Sequence, residues 1–462
     1  MKHYDAIVIG SGQGGTPLAK KLAKQGLKTA IVERRFIGGT CINDGCTPTK
    51  TMVASARMMH LAKQSKALGI TIKDAQLNFK KVISRKNKII EDFRNGAEKG
   101  LQKTEGLDII FGEARFVNNK ELKIVLREGG EKNITANKIF INVGCRPTVP
   151  KINGLDSVAY LDSTSIMELK KLPEHLIIIG AGYISLEFGQ MFRRFGSNIT
   201  MLEHSERFLS REDEDVSDEI KKFLEDEDIK ILTNCEVKKV SSKDENVSVT
   251  VTINKKEKKI SGSHILIATG RTPNTDALHL SNTNIKTDER GHIIVNEKLE
   301  TTAEGIYALG DVKGGPEFTH ISYNDYIIIY KNLFKNGNES IKKRLVPYCM
   351  FTDPQLGRIG LSEQEASKKN INFKVAKLPM THVARAIETG ETTGFMKAIV
   401  DADSKQILGA AIIGEQGGEI MSMLELAMMG NISYEVLRSA VFAHPLYAES
   451  LNNLFMQFDE NR

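Results

Sequence analysis

Residues 10–15, GSGQGG, decide the fold that this sequence predicts. They follow residues 4–9, YDAIVI, a short apolar run typical of a buried strand in a parallel sheet. Residues 16–25 favour a helix, and residues 28–32 form a second apolar run that leads into Glu33. A GxGxxG match alone is weak, but strand, glycine turn, helix, strand and terminal carboxylate together predict a dinucleotide-binding βαβ unit.

The same pattern recurs in residues 176–203, with GAGYIS as the turn and Glu203 as the terminal carboxylate. Glu203 follows Gly180 by as many positions as Glu33 follows Gly10. The departure is a serine in place of the last glycine, which is still small enough for close packing of helix on strand. The sequence therefore predicts two dinucleotide sites, and a flavin with a nicotinamide is the natural pair. The alternative is a duplicated fold in which one site has degenerated.

Two cysteines, Cys41 and Cys46, stand between the first unit and a helix-like run at residues 51–63. A cysteine at the start of a helix has its thiolate stabilised by free N–H groups and the positive end of the helix dipole. This spacing favours a redox pair. The alternatives are half of a zinc site, although zinc needs about four ligands, or two unrelated core thiols.

The rest of the chain adds three further features. Residues 79–103 favour a long helix, and two apolar strands end in glycine, at Gly144 and Gly270. Asp311 follows a third strand and a glycine, so its carboxylate can accept hydrogen bonds in a polar crevice at the strand ends. From about residue 345 onward, short strands alternate with two helices, which predicts an α+β unit with an antiparallel sheet.

The composition is that of an ordinary globular protein of several domains. The 462 residues include 64 Lys and Arg against 58 Asp and Glu, a net charge of +6 that argues against nucleic-acid binding. The sequence has no apolar stretch of membrane-spanning length and no apolar segment typical of a signal peptide near its start. Five cysteines, an odd number, argue against a secreted disulfide framework. We therefore expect a cytoplasmic protein without a membrane or nucleic-acid partner.

With these motifs in place, the chain resembles the class I pyridine nucleotide–disulfide oxidoreductases. This family includes mercuric reductase, dihydrolipoamide dehydrogenase and glutathione reductase. The resemblance covers essentially the whole length. It is carried by the glycine turns, Cys41-x4-Cys46 with Pro48-Thr49-Lys50, residues 269–274, Gly310-Asp311, and His444-Pro445 with Glu449.

The resemblance implies FAD and a nicotinamide nucleotide as cofactors. Asp311 would contact the ribityl region of FAD, and Tyr183 would be an aromatic lid over the flavin. The remaining implied cofactor contacts are Gly10, Gly12, Gly15 and Glu33 on the ADP half of FAD, Gly180, Gly182 and Glu203 on the nicotinamide nucleotide, and Thr40, Lys50, Gly144 and Gly270.

The resemblance also implies the catalytic roles. Cys46 would face the flavin as a thiolate, and Cys41 would exchange with the substrate. Lys50 would sit near the flavin, paired with Glu187. His444 and Glu449 would move protons at the cysteine pair of the other subunit, which implies a homodimer with a shared active site.

The residues around the pair, DGCTPTK, are most similar to the corresponding segment of mercuric-reductase-like proteins. The cysteine pair that ends true mercuric reductases is absent from residues 454–462, however, which argues against mercury reduction. No structural metal site is expected, and Cys41 and Cys46 would bind a soft metal ion transiently. The predicted substrate is a soft metal ion or a small disulfide. The alternatives are dihydrolipoamide dehydrogenase in a multienzyme complex and a non-catalytic redox-sensing flavoprotein.

Glu203 favours NADH, since a carboxylate pairs with a 2′-hydroxyl and repels a 2′-phosphate. NADPH stays open because His204 and Arg207 are near in sequence. The predicted fold is α/β, with two Rossmann-like nucleotide-binding domains, for FAD and NAD(P), and a C-terminal α+β dimerisation domain. The predicted segments are 1–150 (FAD-binding, with the redox pair), 151–272 (NAD(P)H-binding), 273–344 (FAD and central) and 345–462 (dimerisation).

Overall fold

The structure, a computed structural model, describes residues 1–244, 246–342 and 344–459. The strands, in chain order, are β1 Lys2–Ile9, β2 Thr29–Glu33, β3 Leu107–Phe116, β4 Glu121–Leu126, β5 Glu131–Ile141, β6 Cys145–Pro147, β7 His175–Ile179, β8 Asn198–Leu202, β9 Ile229–Leu232, β10 Cys235–Lys243, β11 Asn246–Ile253, β12 Lys256–Gly262, β13 His264–Ile267, β14 Arg271–Pro273, β15 Ile306–Ala308, β16 Tyr348–Met350, β17 Gln355–Gly360, β18 Phe373–Pro379, β19 Phe395–Asp401 and β20 Ile407–Gly414.

The α-helices follow the same order. They are α1 Gly15–Lys24, α2 Gly39–Asn43, α3 Cys46–Gln64, α4 Phe79–Gln102, α5 Tyr183–Phe195, α6 Glu214–Asp226, α7 Thr319–Phe334, α8 Glu363–Lys368, α9 Ala384–Thr389, α10 Gly417–Met429, α11 Tyr434–Arg438 and α12 Ser450–Met456. In the part of the chain that the structure describes, no helix combines the length and the apolar character that a membrane crossing requires.

The N-terminal sheet is built around β1, which pairs in parallel with both β2 and β5. Strand β2 also pairs in parallel with β3, and β15 joins the outer side of β5. Residues of β1 such as Ile7 and Val8 are fully buried, because a central parallel strand is covered on both faces. Helix α1 follows directly and buries Leu18 and Leu22. The predicted βαβ unit is confirmed.

The N-terminal sheet is mixed, because β4 pairs antiparallel with β3 and β5. A second sheet, ordered β13-β7-β8-β9 and parallel throughout, carries the second βαβ unit. Helix α5 connects β7 to β8 and begins at Tyr183, three residues earlier than the sequence pattern indicated. A separate antiparallel sheet of β10, β11 and β12 follows. The lysine-rich residues 256–259 lie on β12 and are exposed.

The C-terminal part forms an antiparallel sheet in the order β16-β17-β20-β19-β18. Helix α10 lies against β17 and β20, so Ile420 and Leu424 are buried beneath it. The mixed α/β architecture predicted from the sequence is confirmed. The bounds of the four predicted segments stay a prediction. Residues 460–462, the end of the tail without cysteines, lie outside the described residues.

Candidate active site

The two glycine turns have the same backbone geometry. Gly10 and Gly180 both have a φ of +97°, a conformation that L side chains rarely adopt. A Cβ on Gly10 would lie 2.4 Å from the carbonyl oxygen of Asn142, and a Cβ on Gly180 would lie 2.5 Å from that of Ala268. In both copies only glycine lets the turn pass this close to the neighbouring strand end. Neither glycine turn is distorted, which argues against degeneration of one site.

The two terminal carboxylates are also held alike. Oε2 of Glu33 accepts a hydrogen bond at 3.0 Å from the N–H of the residue after the first glycine, and Glu203 does so at 2.9 Å. Oε1 of each carboxylate accepts from the N–H two residues further along the chain, at 2.8 Å in both copies. Each carboxylate is therefore fixed beside its glycine turn, in the position from which it can accept hydrogen bonds from a ribose.

A cavity of about 950 Å³ lies beside the first glycine turn, at the upper end of the size range of ligand pockets. It brings together the following predicted site residues: Gly10, Gly12, Glu33, Thr40, Cys41, Cys46, Lys50, Gly144, Tyr183, Glu187 and Asp311. Burial raises the pKa of Asp311. The glycine turn offers backbone N–H groups, and the carboxylates of Glu33 and Asp311 can accept hydrogen bonds from hydroxyls. This combination of groups fits FAD.

Several predicted residues are not among the described residues that line this cavity. Gly15 packs behind the glycine turn, where a Cβ would lie 2.2 Å from the carbonyl oxygen of Gly10. The second turn and its carboxylate lie on the second sheet, together with the strand end that precedes Gly270. The residues outside the lining are Gly15, Gly180, Gly182, Glu203, Gly270, His444 and Glu449.

The cysteine pair spans two helices. Cys41 lies in α2, and Cys46 is the first residue of α3, so this helix begins at residue 46 and not near residue 51. Pro48 lies in the first turn of α3, where a missing N–H costs nothing. The correction places Cys46, rather than Cys41, at the positive end of the helix dipole. The structure holds the two cysteines as free thiols.

The two sulfurs share one proton unequally. A hydrogen bond from the Cys41 thiol lowers the pKa of Cys46 to about 6, and the same bond raises the pKa of Cys41. The hydroxyl of Thr319 lies 3.4 Å from Cys46 Sγ, and the charge of Lys50 adds to the stabilisation. Near neutral pH the pair is therefore a Cys46 thiolate and a Cys41 thiol. Thr319 was not predicted from the sequence, since no local pattern links it to Cys46.

Lys50 and Glu187 form an ion pair on the same wall of the cavity. Lys50 Nζ donates to Glu187 Oε2 at 2.5 Å, and the backbone N–H of Phe351 donates to Oε1 at 2.9 Å. The ammonium also lies 4.7 Å from the centre of the Phe351 ring. Because Glu187 is almost fully buried, this arrangement fixes a positive charge at the cavity edge.

Tyr183 is tied to a carboxylate that the sequence analysis did not single out. Its hydroxyl donates to Oε1 of Glu212, which also accepts from the hydroxyl of Tyr348 at 2.6 Å. Glu212 is buried, and Arg358 Nε lies 3.5 Å from its other oxygen. The rings of Tyr183 and Tyr348 are 5.5 Å apart. The aromatic residue beside the cavity is thus anchored to the C-terminal sheet.

His444 and Glu449 lie together, as the family resemblance implied. Nδ1 of His444 lies 3.0 Å from each carboxylate oxygen of Glu449, and the imidazole is largely exposed. Glu449 can therefore orient the ring and leave Nε2 directed outward. Within one chain the pair stands apart from the cavity lining.

Two family models match the chain. The pyridine nucleotide-disulphide oxidoreductase model covers residues 4–325, and the dimerisation domain model of the same family covers residues 346–455. Together they span the N-terminal sheet, the second sheet and the C-terminal antiparallel sheet.

Three similar proteins represent different branches. The probable pyridine nucleotide-disulfide oxidoreductase RclA of Escherichia coli is 39% identical over 98% of this chain and 99% of its own length. A structure described as the Cu(II) complex of this HOCl-induced flavoprotein disulfide reductase has a TM-score of 0.91, with 38% identity over 99% of this chain and 100% of that one. Mercuric reductase of Lysinibacillus sphaericus is 34% identical over 99% of this chain and 83% of its own length, and dihydrolipoyl dehydrogenase of Bacillus subtilis is 30% identical over 99% and 98%.

Proposed function

This chain belongs to the pyridine nucleotide–disulfide oxidoreductase family, and we propose that it passes electrons from NADH to a thiophilic metal ion, with Cu(II) the foremost candidate. The observation that carries the proposal is the unequal Cys41–Cys46 pair on the wall of the large cavity. A low-pKa thiolate next to a protonated thiol is the reduced form of a two-electron centre.

The family binds FAD and uses a pyridine nucleotide. The chemistry that FAD supplies is hydride acceptance from a reduced nicotinamide and two-electron transfer to a disulfide. We assign Glu33 and the first glycine turn to its ADP half and Asp311 to its ribityl chain. Lys50, held by Glu187, places a positive charge where negative charge develops during reduction.

We propose NADH as the preferred electron donor. Glu203 is fixed by two backbone N–H groups, so its carboxylate would face a 2′-hydroxyl and repel a 2′-phosphate. Arg207, a basic side chain of the same segment, donates to the backbone oxygen of Glu212 at 2.7 Å. A 2′-phosphate would have to compete with that bond for the guanidinium.

The two cysteines transfer the electrons to the metal ion. Cys41, the sulfur on the substrate side, gives up its proton and binds the metal ion as a thiolate together with Cys46. Two Cu(II) ions then take one electron each and become Cu(I), while the two sulfurs form the Cys41–Cys46 disulfide. NADH then gives up a hydride, which is two electrons and a proton, and leaves as NAD⁺. The two electrons reduce that disulfide and the proton returns to Cys41. Each cycle therefore converts NADH and two Cu(II) into NAD⁺, two Cu(I) and the one proton that Cys41 released.

Similarity to two proteins whose descriptions name a metal favours a metal ion as the electron acceptor. RclA carries Cu(II) in its structure, and mercuric reductase is named for Hg(II). Thiolates such as the Cys41–Cys46 pair bind Hg(II) and hold the Cu(I) that forms when Cu(II) is reduced. Cu(II) stands first because the identity to RclA, 39%, is higher than the identity to mercuric reductase, 34%.

A small disulfide is the second candidate, and the His444–Glu449 pair favours it. Thiol–disulfide exchange needs a proton carrier for the leaving thiol, whereas one-electron reduction of a metal ion does not.

The dimerisation domain makes the enzyme a homodimer. Exposed apolar side chains of α10, Leu426 and Met429, suit burial in such an interface. We propose that His444 reaches the cysteine pair of the other subunit.

The test is an anaerobic turnover assay with NADH and a panel of acceptors: Cu(II), Hg(II), oxidised lipoamide and glutathione disulfide. Cu(I) is followed with a chromogenic chelator over many turnovers, so that simple oxidation of the protein's own thiols does not count. The comparison variants are Cys41→Ser and Cys235→Ala, the latter a buried thiol far from the pair in sequence.

We expect Cu(II) reduction by the wild type and the Cys235→Ala variant and none by Cys41→Ser, with NADH used more efficiently than NADPH. Rapid turnover of oxidised lipoamide without Cu(II) reduction would instead identify a lipoamide dehydrogenase. Flavin reduction without turnover of any acceptor would favour a redox sensor.

A further inference from the structure

A second cluster of chemically reactive side chains lies apart from the redox pair. It consists of Cys145 at the start of β6, His292 in the segment before β15, and Glu317 just before α7. One ligand atom from each residue lies within 4.8 Å of the others. The three residues are far apart in sequence, so only the folded chain brings a thiol, an imidazole and a carboxylate together.

The imidazole of His292 is already oriented for binding an ion. Its Nδ1 lies 3.2 Å from Oδ2 of Asp288, and its backbone N–H donates to Oδ1 of the same carboxylate at 2.8 Å. Nε2 is buried and has no hydrogen-bond partner among the described residues. Asp288 thus favours the tautomer with the proton on Nδ1, which leaves the lone pair of Nε2 free. Metal-binding histidines are commonly held by a carboxylate in this way.

The other two residues complete a mixed donor set. Cys145 is buried, and its sulfur lies 3.5 Å from the backbone oxygen of Asp311. The Cys145 thiol donates a hydrogen bond to the Glu317 carboxylate, and Arg271 Nε lies 3.7 Å from Oε2 of the same group. Cys145 and Glu317 both lie on the wall of the cavity that we assign to FAD, so the cluster borders the cofactor. The carboxylate of Asp311 adds negative charge next to the cluster and offsets the charge of Arg271.

We propose that Cys145, His292 and Glu317 form a binding site for a Zn(II)-type divalent cation, separate from the Cys41–Cys46 pair. Thiolate, neutral imidazole and carboxylate are the ligands that Zn(II) takes, whereas Ca²⁺ and Mg²⁺ prefer oxygen alone. Three protein ligands leave a fourth position of a tetrahedron for water. The thiolate and the carboxylate together neutralise a dication.

Binding must displace the thiol proton. Burial raises the pKa of Cys145 to about 12, so the free protein holds this residue as a neutral thiol. The same residues without an ion would form a packed polar cluster. A cation site and a packed cluster differ in one measurable respect. If the cluster binds a cation, the affinity depends on all three side chains; if it only packs, it binds no cation.

The experiment uses the FAD-loaded dimer carrying Cys41→Ser and Cys46→Ser, so that the redox pair cannot bind the probe. Co(II) is titrated as a spectroscopic stand-in for Zn(II), and the thiolate-to-Co(II) charge-transfer absorption reports coordination by sulfur. The cluster is then changed one residue at a time in this background, with Cys145→Ser, His292→Gln and Glu317→Gln. Cys235→Ala serves as the matched control, because it removes another buried thiol.

We expect one Co(II) per chain, displaced by Zn(II), and a loss of affinity of about 10-fold or more in each of the three cluster variants. The control should bind like its parent. The proposal is overturned if no charge-transfer band appears, if only Cys145→Ser weakens binding, or if the ion expels FAD. Flavin absorbance and far-UV circular dichroism identify variants that fail to fold. If Cys145→Ser is one of them, the Co(II) affinities of His292→Gln and Glu317→Gln decide whether the proposal stands. Because the readout needs no turnover, it is independent of which acceptor the enzyme uses.

Discussion

Replacing Cys41 with alanine removes the hydrogen-bond donor that contributes most to the low pKa of Cys46. In the wild type this pKa is lowered from 9.0 to about 6, so about nine-tenths of Cys46 is thiolate at pH 7. Without the donor, burial still opposes the charged form, while Thr319 and Lys50 still favour it. We expect the pKa to move upward from 6 toward 9.0, and a full return would leave about one per cent thiolate at pH 7.

The assay is the pH dependence of iodoacetamide alkylation at Cys46 in the reduced protein, quantified by mass spectrometry of the peptide that contains it. The midpoint of the profile is the observable. The rate at a single pH is a poor substitute, because a thiolate of higher pKa is intrinsically more nucleophilic and partly compensates for its scarcity. Cys235→Ala serves as a control and should leave the profile unchanged.

The sign of the change is fixed by the structure. The Cys46 thiolate accepts the hydrogen bond, so loss of the donor destabilises the charged form and raises the midpoint. A midpoint near 6 in Cys41→Ala would show that the helix dipole and Lys50 suffice without the second thiol. A midpoint near 9 in the wild type would refute the unequal sharing of the proton altogether.

Three other changes test separate parts of the account. Lys50→Met leaves the buried Glu187 carboxylate without its cation and should slow flavin reduction by NADH about 10-fold or more at unchanged FAD content, as measured by anaerobic stopped-flow absorbance; an unaltered rate would remove Lys50 from the reductive step. Glu203→Arg should shift the ratio of kcat/KM toward NADPH, and an unchanged ratio would mean that the ribose is recognised elsewhere. Asp353→Asn weakens the buried pairs with Arg57 and Arg194 and should lower the free energy of unfolding in urea by about 3 kcal/mol. Asp228→Asn breaks only an exposed pair with Arg193 and should lower it by less than about 1 kcal/mol. Equal losses in the two variants would contradict the difference between buried and exposed pairs.

Much of the fold could be predicted from local patterns. A strand, a glycine turn, a helix and a terminal carboxylate specify a βαβ unit without reference to the rest of the chain, and both copies fold as expected. The start of α3 was misplaced because Gly45 and Pro48 discourage a helix in its interior, although proline is acceptable in a first turn. Helix α7 was not predicted. Its apolar side chains lie on most sides, so no single face stands out in the sequence.

The chemistry within the site was less accessible from the sequence. The Cys41-x4-Cys46 spacing identified the pair, yet the unequal pKa values depend on the hydrogen bond between the sulfurs and on Thr319, which lies in a different segment. The anchoring of Tyr183 by Glu212 likewise joins residues from separate elements. Such contacts follow from how the sheets pack together, and neither periodicity nor motif spacing carries that information.

The central claim is that electrons from NADH pass through Cys41 and Cys46. The most direct test is a count of free thiols per denatured chain before and after one anaerobic treatment of the oxidised holoenzyme with excess NADH. The chain has five cysteines, so the account predicts three thiols before the treatment and five after it, with the new ones located at Cys41 and Cys46 by alkylation and mass spectrometry. A flavin that becomes reduced while the count stays at three would contradict the claim.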